Sequence, residues 1–233
     1  MQNFFAGPGY ALIYYVLLAS TALILRLTIS MPDEVFRKLL HCILLGSFPI
    51  YLFGFSTWQQ SAGFCLIFAL AVYPILAQFE RLRAYSKTMT ERRSGELKRS
   101  LLVVFSMFAI VISICWGCLS DRFLALASVF AWGFGDAAAA LIGKNWGKHK
   151  IPHTKKSYEG TCAMFGVSFF CVLTILMLRG GMVWYGYPAA ALLTAGVAAA
   201  TELYTPGGHD TFTCPISAML ILIPVLHLFG GIP

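Results

Sequence analysis

Charge is what this chain of 233 residues has least of: 12% of it is Asp, Glu, Lys or Arg, against 58% hydrophobic residues and a mean hydropathy of +0.75. So little charge cannot clothe a soluble globular domain, and an integral membrane protein is expected. Internal repeats and low-complexity tails are also missing, which leaves one membrane catalytic domain, 1–233, as the expected organisation. No basic segment precedes the first apolar run and no small-residue cleavage site follows it, so that run is expected to be a retained span rather than a signal peptide. Cys42, Cys65, Cys115, Cys118, Cys162, Cys171 and Cys214 fall mostly inside apolar runs, where a thiol behaves as a small hydrophobe, and no disulfide framework is expected. Cys115 and Cys118 form a C-x-x-C without the second His or Cys pair that a structural metal site needs. No nucleic-acid partner is expected.

What is abundant is long apolar sequence. Crossing a hydrocarbon core takes about 20 residues, and runs of roughly that order lie at 10–29, 39–55, 58–79, 100–119, 123–142, 161–178, 188–203 and 212–229. The fold class is therefore all-α and polytopic, with about eight transmembrane helices and a range of seven to nine, since the second and seventh runs are short. The first run reads as lipid-facing scaffold, and 31–38 as a short interfacial turn of helix leading into the second. In the seventh, Gly196 and Ala200 form a small-xxx-small pair suited to close helix packing. The basic residues orient the whole: with the N-terminus external, 14 of the 17 Lys and Arg fall in segments 30–38, 80–99 and 143–160 on the cytoplasmic side.

One stretch stands apart from this scaffold. From Trp132 to Gly160 an apolar helix carrying Asp136 runs out into a loop containing Lys144, Lys148, Lys150, Lys155 and Lys156, spaced by Gly143, Gly147 and Pro152 and closed by Ser157, Glu159 and Gly160. An ionisable group inside a bilayer is costly enough to need a partner or a task. Glycines let backbone N–H groups approach an anion, and lysines supply point charges for phosphate. The spacing is not that of a P-loop, and no strand precedes it.

Other groups are drawn to the same side. Arg37 and His41, four apart on a helix, share a face, with Lys38 beside them. Arg92, Arg93, Gly95, Glu96 and Arg99 sit in the longest polar stretch, where guanidinium forks can grip phosphate. The alanine-rich seventh run ends in Glu202 and leads to Asp210. On the inner face, then, Asp136, Glu159, Glu202 and Asp210 are expected near lysines, arginines and His41. Acids to hold Mg²⁺ and bases to hold phosphate oxygens are what phosphoryl or nucleotidyl transfer requires. Eight residues of ideal helix put Asp136 about 12 Å from Lys144, below the headgroups while the lysines reach water.

These residues resemble the CTP-dependent polyprenol kinases, the family of dolichol kinase, phytol kinase and yeast-type diacylglycerol kinase. The similarity lies in Arg37-Lys38-x-x-His41, in Gly135-Asp136 followed by Ile142-Gly143-Lys144-x-x-Gly147-Lys148, in Lys156-Ser157-x-Glu159-Gly160, and in Glu202 with Asp210-Thr211-x-Thr213-x-Pro215. The resemblance implies a multi-pass fold, CTP as donor, a divalent metal such as Mg²⁺, and a lipid alcohol as acceptor at the cytoplasmic face. It implies catalytic roles for Asp136, Glu202, His41 and Lys144, and metal ligation by Asp136, Glu202 and Asp210. Nucleotide contacts are implied for Gly135, Gly143, Lys144, Gly147, Lys148, Lys155, Lys156, Ser157, Glu159, Gly160, Arg37, Lys38, Arg93 and Arg99. The family has Asp-Asn where this chain has Asp210-Thr211, so the contact made by that Asn is in question. Two other readings differ in class. A phosphatidate cytidylyltransferase would carry an Asp-Arg-x-Asp run that is missing after Gly208. A non-catalytic transporter or lipid-binding protein would spread its acids over both halves of the bundle.

Overall fold

The computed structural model describes residues 6–80, 95–152, 154, 156–205 and 209–231. Arg92, Arg93, Lys155, Gly207 and Gly208 lie outside them. The chain divides into two compact units, Met1–Cys118 and Leu119–Pro233. Both are helical, and among the described residues the extended pairing is limited to one bridge, Lys150 to Ser157.

The first unit comprises α1 (Ala6–Thr28), α2 (Asp33–Gly46), α3 (Phe48–Phe53), α4 (Trp58–Phe79) and α5 (Glu96–Val111), the last prolonged by a π-helical stretch, Ile112–Cys118. α1 bears Val16, Leu17, Ile24 and Leu27 on exposed positions, as a lipid-facing scaffold helix does. The turn of helix expected at 31–38 is the start of α2, which runs on unbroken from Asp33 into the second span, and the interruption falls later, at Ser47. Its cause is Pro49, which has no N–H for the carbonyl four residues back. The Ser47 N–H turns to the carbonyls of Leu44 and Leu45 instead, and the other carbonyls at the break, in a water-poor interior, need donors too. The Tyr14 hydroxyl donates to Ile43 O at 2.8 Å and Ser47 Oγ donates to Leu44 O at 2.6 Å, while the Tyr15 hydroxyl donates to Ser47 Oγ at 2.6 Å. Gly46 is needed there, because a Cβ would lie 2.3 Å from the Tyr14 hydroxyl. Beneath the break, Tyr15, Tyr51, Phe68 and Phe105 form an aromatic core with ring centroids 5.0 to 6.3 Å apart in the contacting pairs.

The second unit is an antiparallel succession of α6 (Arg122–Asn145), α7 (Tyr158–Arg179), α8 (Gly186–Tyr204) and α9 (Asp210–Leu228). α6 packs on α7 and α9, and α8 on α7 and α9. Asp121 caps α6 by accepting from the Leu124 N–H at 2.9 Å, and its other oxygen takes the Arg179 Nε–H at 2.6 Å. Arg179 also donates to the carbonyls of Gly180 and Gly231, tying the end of α7 to the chain beyond α9. The Gly196 and Ala200 pair is not where α8 packs closely: a Cβ on Gly196 would meet nothing within 4 Å, and Ala200 is exposed. The buried stripe is instead Ala191, Thr194, Ala195, Ala198, Ala199 and Glu202.

Among the described residues, seven helical segments are long and apolar enough to cross a membrane, α2 with α3 counting as one; α8 is not among them. All seven cysteines are free thiols. The protein is a multi-pass integral membrane protein.

Candidate functional site

Three acids from three helices of the second unit converge. Asp136 comes from α6 two-thirds of the way along, Glu202 from the last turn of α8, and Asp210 from the first residue of α9. One carboxylate oxygen from each lies within 4.8 Å of the others. Glu202 is 7% exposed, and the other two are half-buried. Like charges at that separation repel, and burial strengthens the repulsion, so such a group calls for positive charge. Lys156 supplies some of it: its ammonium lies 2.7 Å from Glu202 Oε1 and also donates to the Glu202 backbone carbonyl.

The backbone around Asp136 is shaped to admit its neighbours. A Cβ on Gly135 would stand 2.4 Å from Ser168 Oγ, whose hydroxyl is committed to Ala131 O at 2.5 Å, so only glycine lets α7 close on α6 beside the acid. One turn from the end of α6 the same holds for the glycines of the loop. A Cβ on Gly147 would lie 2.2 Å from Gly143 O and 2.5 Å from Ser157 Oγ, and one on Gly160 would lie 2.9 Å from Ala139 O. Ser157 is 3% exposed and caps α7 by accepting from the Gly160 N–H at 3.2 Å. Gly143, Gly147, Ser157 and Gly160, expected against an anion, are thus also the residues that let the two helices and the loop meet.

The loop itself is folded rather than slack. Ile151 N–H donates to Lys156 O at 3.0 Å and Tyr158 N–H to His149 O at 3.0 Å, which with the bridge from Lys150 to Ser157 makes a narrow hairpin. Glu159 holds its far side. Its carboxylate accepts from the His149 N–H at 3.1 Å and faces His149 Nδ1 at 2.6 Å. Glu159 therefore serves as the anchor of the loop and is not one of the three converging acids. His149 was not singled out in the sequence; it lies ten positions before Glu159, across a loop, and no fixed period links them. With Lys156 turned inward, Lys144, Lys148 and Lys150 stand exposed.

Arg37, Lys38 and His41 belong to α2 in the first unit, all half-buried. The Arg37 guanidinium is 3.3 Å from Glu34 and 3.4 Å from Glu96, which joins α2 to the start of α5. Arg99 is exposed on α5. Lys98, next to it, pairs with Glu80 at 2.5 Å.

A phytol kinase of Synechocystis is 28% identical over 243 aligned positions, which take in 96% of this chain and 93% of that protein. The dolichol kinase of Mus musculus is 25% identical across 92% of this chain, and that of Saccharomyces cerevisiae 24% identical across 71%. These relatives, named phytol kinase and dolichol kinase and aligned over most of the chain, support the polyprenol/phytol kinase family. The chain is close in length to the Synechocystis protein and spans less than half of the two dolichol kinases, 45% and 32% of their lengths. No family model and no solved structure matches it.

Proposed function

We propose that this chain is a membrane-embedded lipid kinase that transfers the γ-phosphate of CTP to the hydroxyl of a lipid alcohol, a polyprenol, phytol or diacylglycerol, at the cytoplasmic face. The whole chain, 1–233, acts as one catalytic domain in this reading. The observation that carries it is the convergence of Asp136, Glu202 and Asp210 next to Lys156. Kinship with phytol and dolichol kinases supports the reaction class and the kind of acceptor, and the resemblance of the motifs supports CTP.

Three hard carboxylate oxygens on separate helices suit Mg²⁺, and Asp136, Glu202 and Asp210 would hold it. Bound there, it would neutralise charge on the phosphoryl oxygens. The exposed Lys144 and Lys148 reach water, from which the nucleotide comes. Lys156 carries positive charge to the acids' edge of the same loop. The acceptor hydroxyl attacks the γ-phosphorus, the bond to the β-phosphate oxygen breaks, CDP leaves, and the hydroxyl proton passes to a carboxylate of the group. Positioning and charge neutralisation are most of what such a reaction asks of a protein.

Purified protein given γ-labelled CTP, Mg²⁺ and a panel of polyprenols, phytol and diacylglycerol is expected to place label in at least one lipid. Label entering lipid only from α-labelled CTP, with phosphatidic acid as acceptor, would identify a cytidylyltransferase instead. The orientation follows from the 14 basic residues of the inner segments. A cysteine replacing Lys150 in a cysteine-free background is expected to react with an impermeant maleimide only after the membrane is opened. Reaction in intact cells would put the loop on the side away from cytosolic CTP.

A further inference from the structure

The lysine on the acids comes from a loop, and the acids come from helices. Asp136, Glu202 and Asp210 project from helices packed against one another, whereas Lys156 comes from the hairpin between α6 and α7. Its backbone is held within the loop, its carbonyl accepting from the Ile151 N–H and its own N–H donating to Thr154 Oγ1 at 3.2 Å, which leaves the long side chain as the part that can change partner. Its ammonium reaches across to Glu202, meeting both the carboxylate and the backbone carbonyl of that residue. The Glu202 side chain is 10% exposed and that of Lys156 29% exposed, so the cation sits between the buried acid and water.

We infer that Lys156 is an exchangeable counter-cation: it neutralises Glu202 while the three-acid group is empty, and transfers to a phosphate oxygen when a divalent cation takes Glu202. This rests on the reading of the site as a metal and triphosphate site. An ammonium and a divalent cation cannot share one carboxylate face without repelling each other, because like charges a few ångströms apart in a partly buried site interact strongly. The arriving triphosphate offers Lys156 an alternative acceptor of greater charge. A lysine suits the exchange better than an arginine, being a compact point charge on a flexible stem rather than a rigid fork that holds a carboxylate with two bonds. The two ligands then become linked. Whatever draws Lys156 off Glu202 favours the metal, and the metal in turn releases Lys156 to the phosphate, by equal factors in each direction.

The expectation runs against what a merely structural lysine would do. Removing a structural pin from a buried acid loosens the site and weakens metal binding. Removing a competitor tightens it. With purified full-length protein and no nucleotide, Mn²⁺ titrated under electron paramagnetic resonance should bind Lys156→Met about tenfold more tightly than wild type. Lys156→Arg, which keeps the charge, should stay within about twofold of wild type or bind more weakly. In EDTA, a fluorescent CTP analogue should bind Lys156→Met about tenfold more weakly. If Lys156→Met does not yield monodisperse protein, Lys156→Gln carries the same measurements. Mn²⁺ affinity unchanged or lowered in the neutral variant overturns the exchange. The outcome is separable from the kinase reading, since neither titration involves turnover: tighter Mn²⁺ without any label transfer from CTP keeps the exchange and discards the kinase, and the converse result does the reverse.

Discussion

Asp136→Asn is expected to lower phosphoryl transfer at least about a thousandfold while the protein extracts, purifies and unfolds like the wild type. Asn has the shape of Asp, so the packing that Gly135 and Ser168 impose around it is undisturbed. The charge is what changes. One of three carboxylates within 4.8 Å becomes a neutral amide, which relieves repulsion in the folded state and removes a ligand of the expected metal. Stability should hold or rise as activity disappears, and that opposite movement separates a functional acid from a packing residue. The check is label transfer from γ-labelled CTP alongside thermal unfolding in the same detergent. Wild-type turnover in the variant would return Asp136 to the status of a helix residue.

Arg179→Ala should lower stability by about 3 kcal/mol, because it strands a buried carboxylate whose partner has been removed. The Asp121 side chain is 8% exposed and that of Arg179 14% exposed, so solvent can take over little of the lost contact. Three elements are released together: the start of α6, the end of α7 and the chain after α9. Arg179→Lys should recover only part of the loss, since one ammonium cannot reproduce the donors that reach Asp121, Gly180 and Gly231. Turnover by the folded fraction should be little changed, since 15 residues of helix put Asp121 about 22 Å from Asp136. A melting temperature equal to that of the wild type would show the cluster to be ornamental.

Much of this was legible in the residues. The span 58–79 matches α4 at both ends, because Thr57 caps it and the polar stretch after Phe79 stops it. Asp136, Glu202 and Asp210 could be singled out because each is an acid bordered by apolar or glycine-rich sequence, where a charge without a role is expensive. That Glu202 faces Lys156 was not legible, since they are 46 positions apart with all of α7 and most of α8 between them. The break at Ser47 was hidden for a related reason. Pro49 sits in an apolar run that scores as one continuous span, and the hydroxyls that make the break tolerable come partly from Tyr14 and Tyr15 on another helix. In α8 the small residues recur on every face, so their spacing alone could not tell the packed stripe at Ala191, Ala195 and Ala198 from the open side at Gly196. Gly143, Gly147 and Gly160 carried the opposite ambiguity: the feature that lets a backbone approach an anion also lets it approach another helix.

The alanine-rich stripe of α8 also bears on how the protein is made. A segment emerging from a ribosome is judged by its own apolarity, with a charge near its centre or end counting against it. Among the described residues, α8 is the long helix outside the set that is apolar enough to cross alone, and its last turn holds a buried glutamate. Its burial comes from α7 and α9, which offer close-packed surfaces in place of lipid. Its insertion therefore waits on its neighbours. A nascent chain halted before Asp210 would lack more than the third acid: the helix that carries Glu202 would have α7 alone to pack against, without the second surface that α9 supplies.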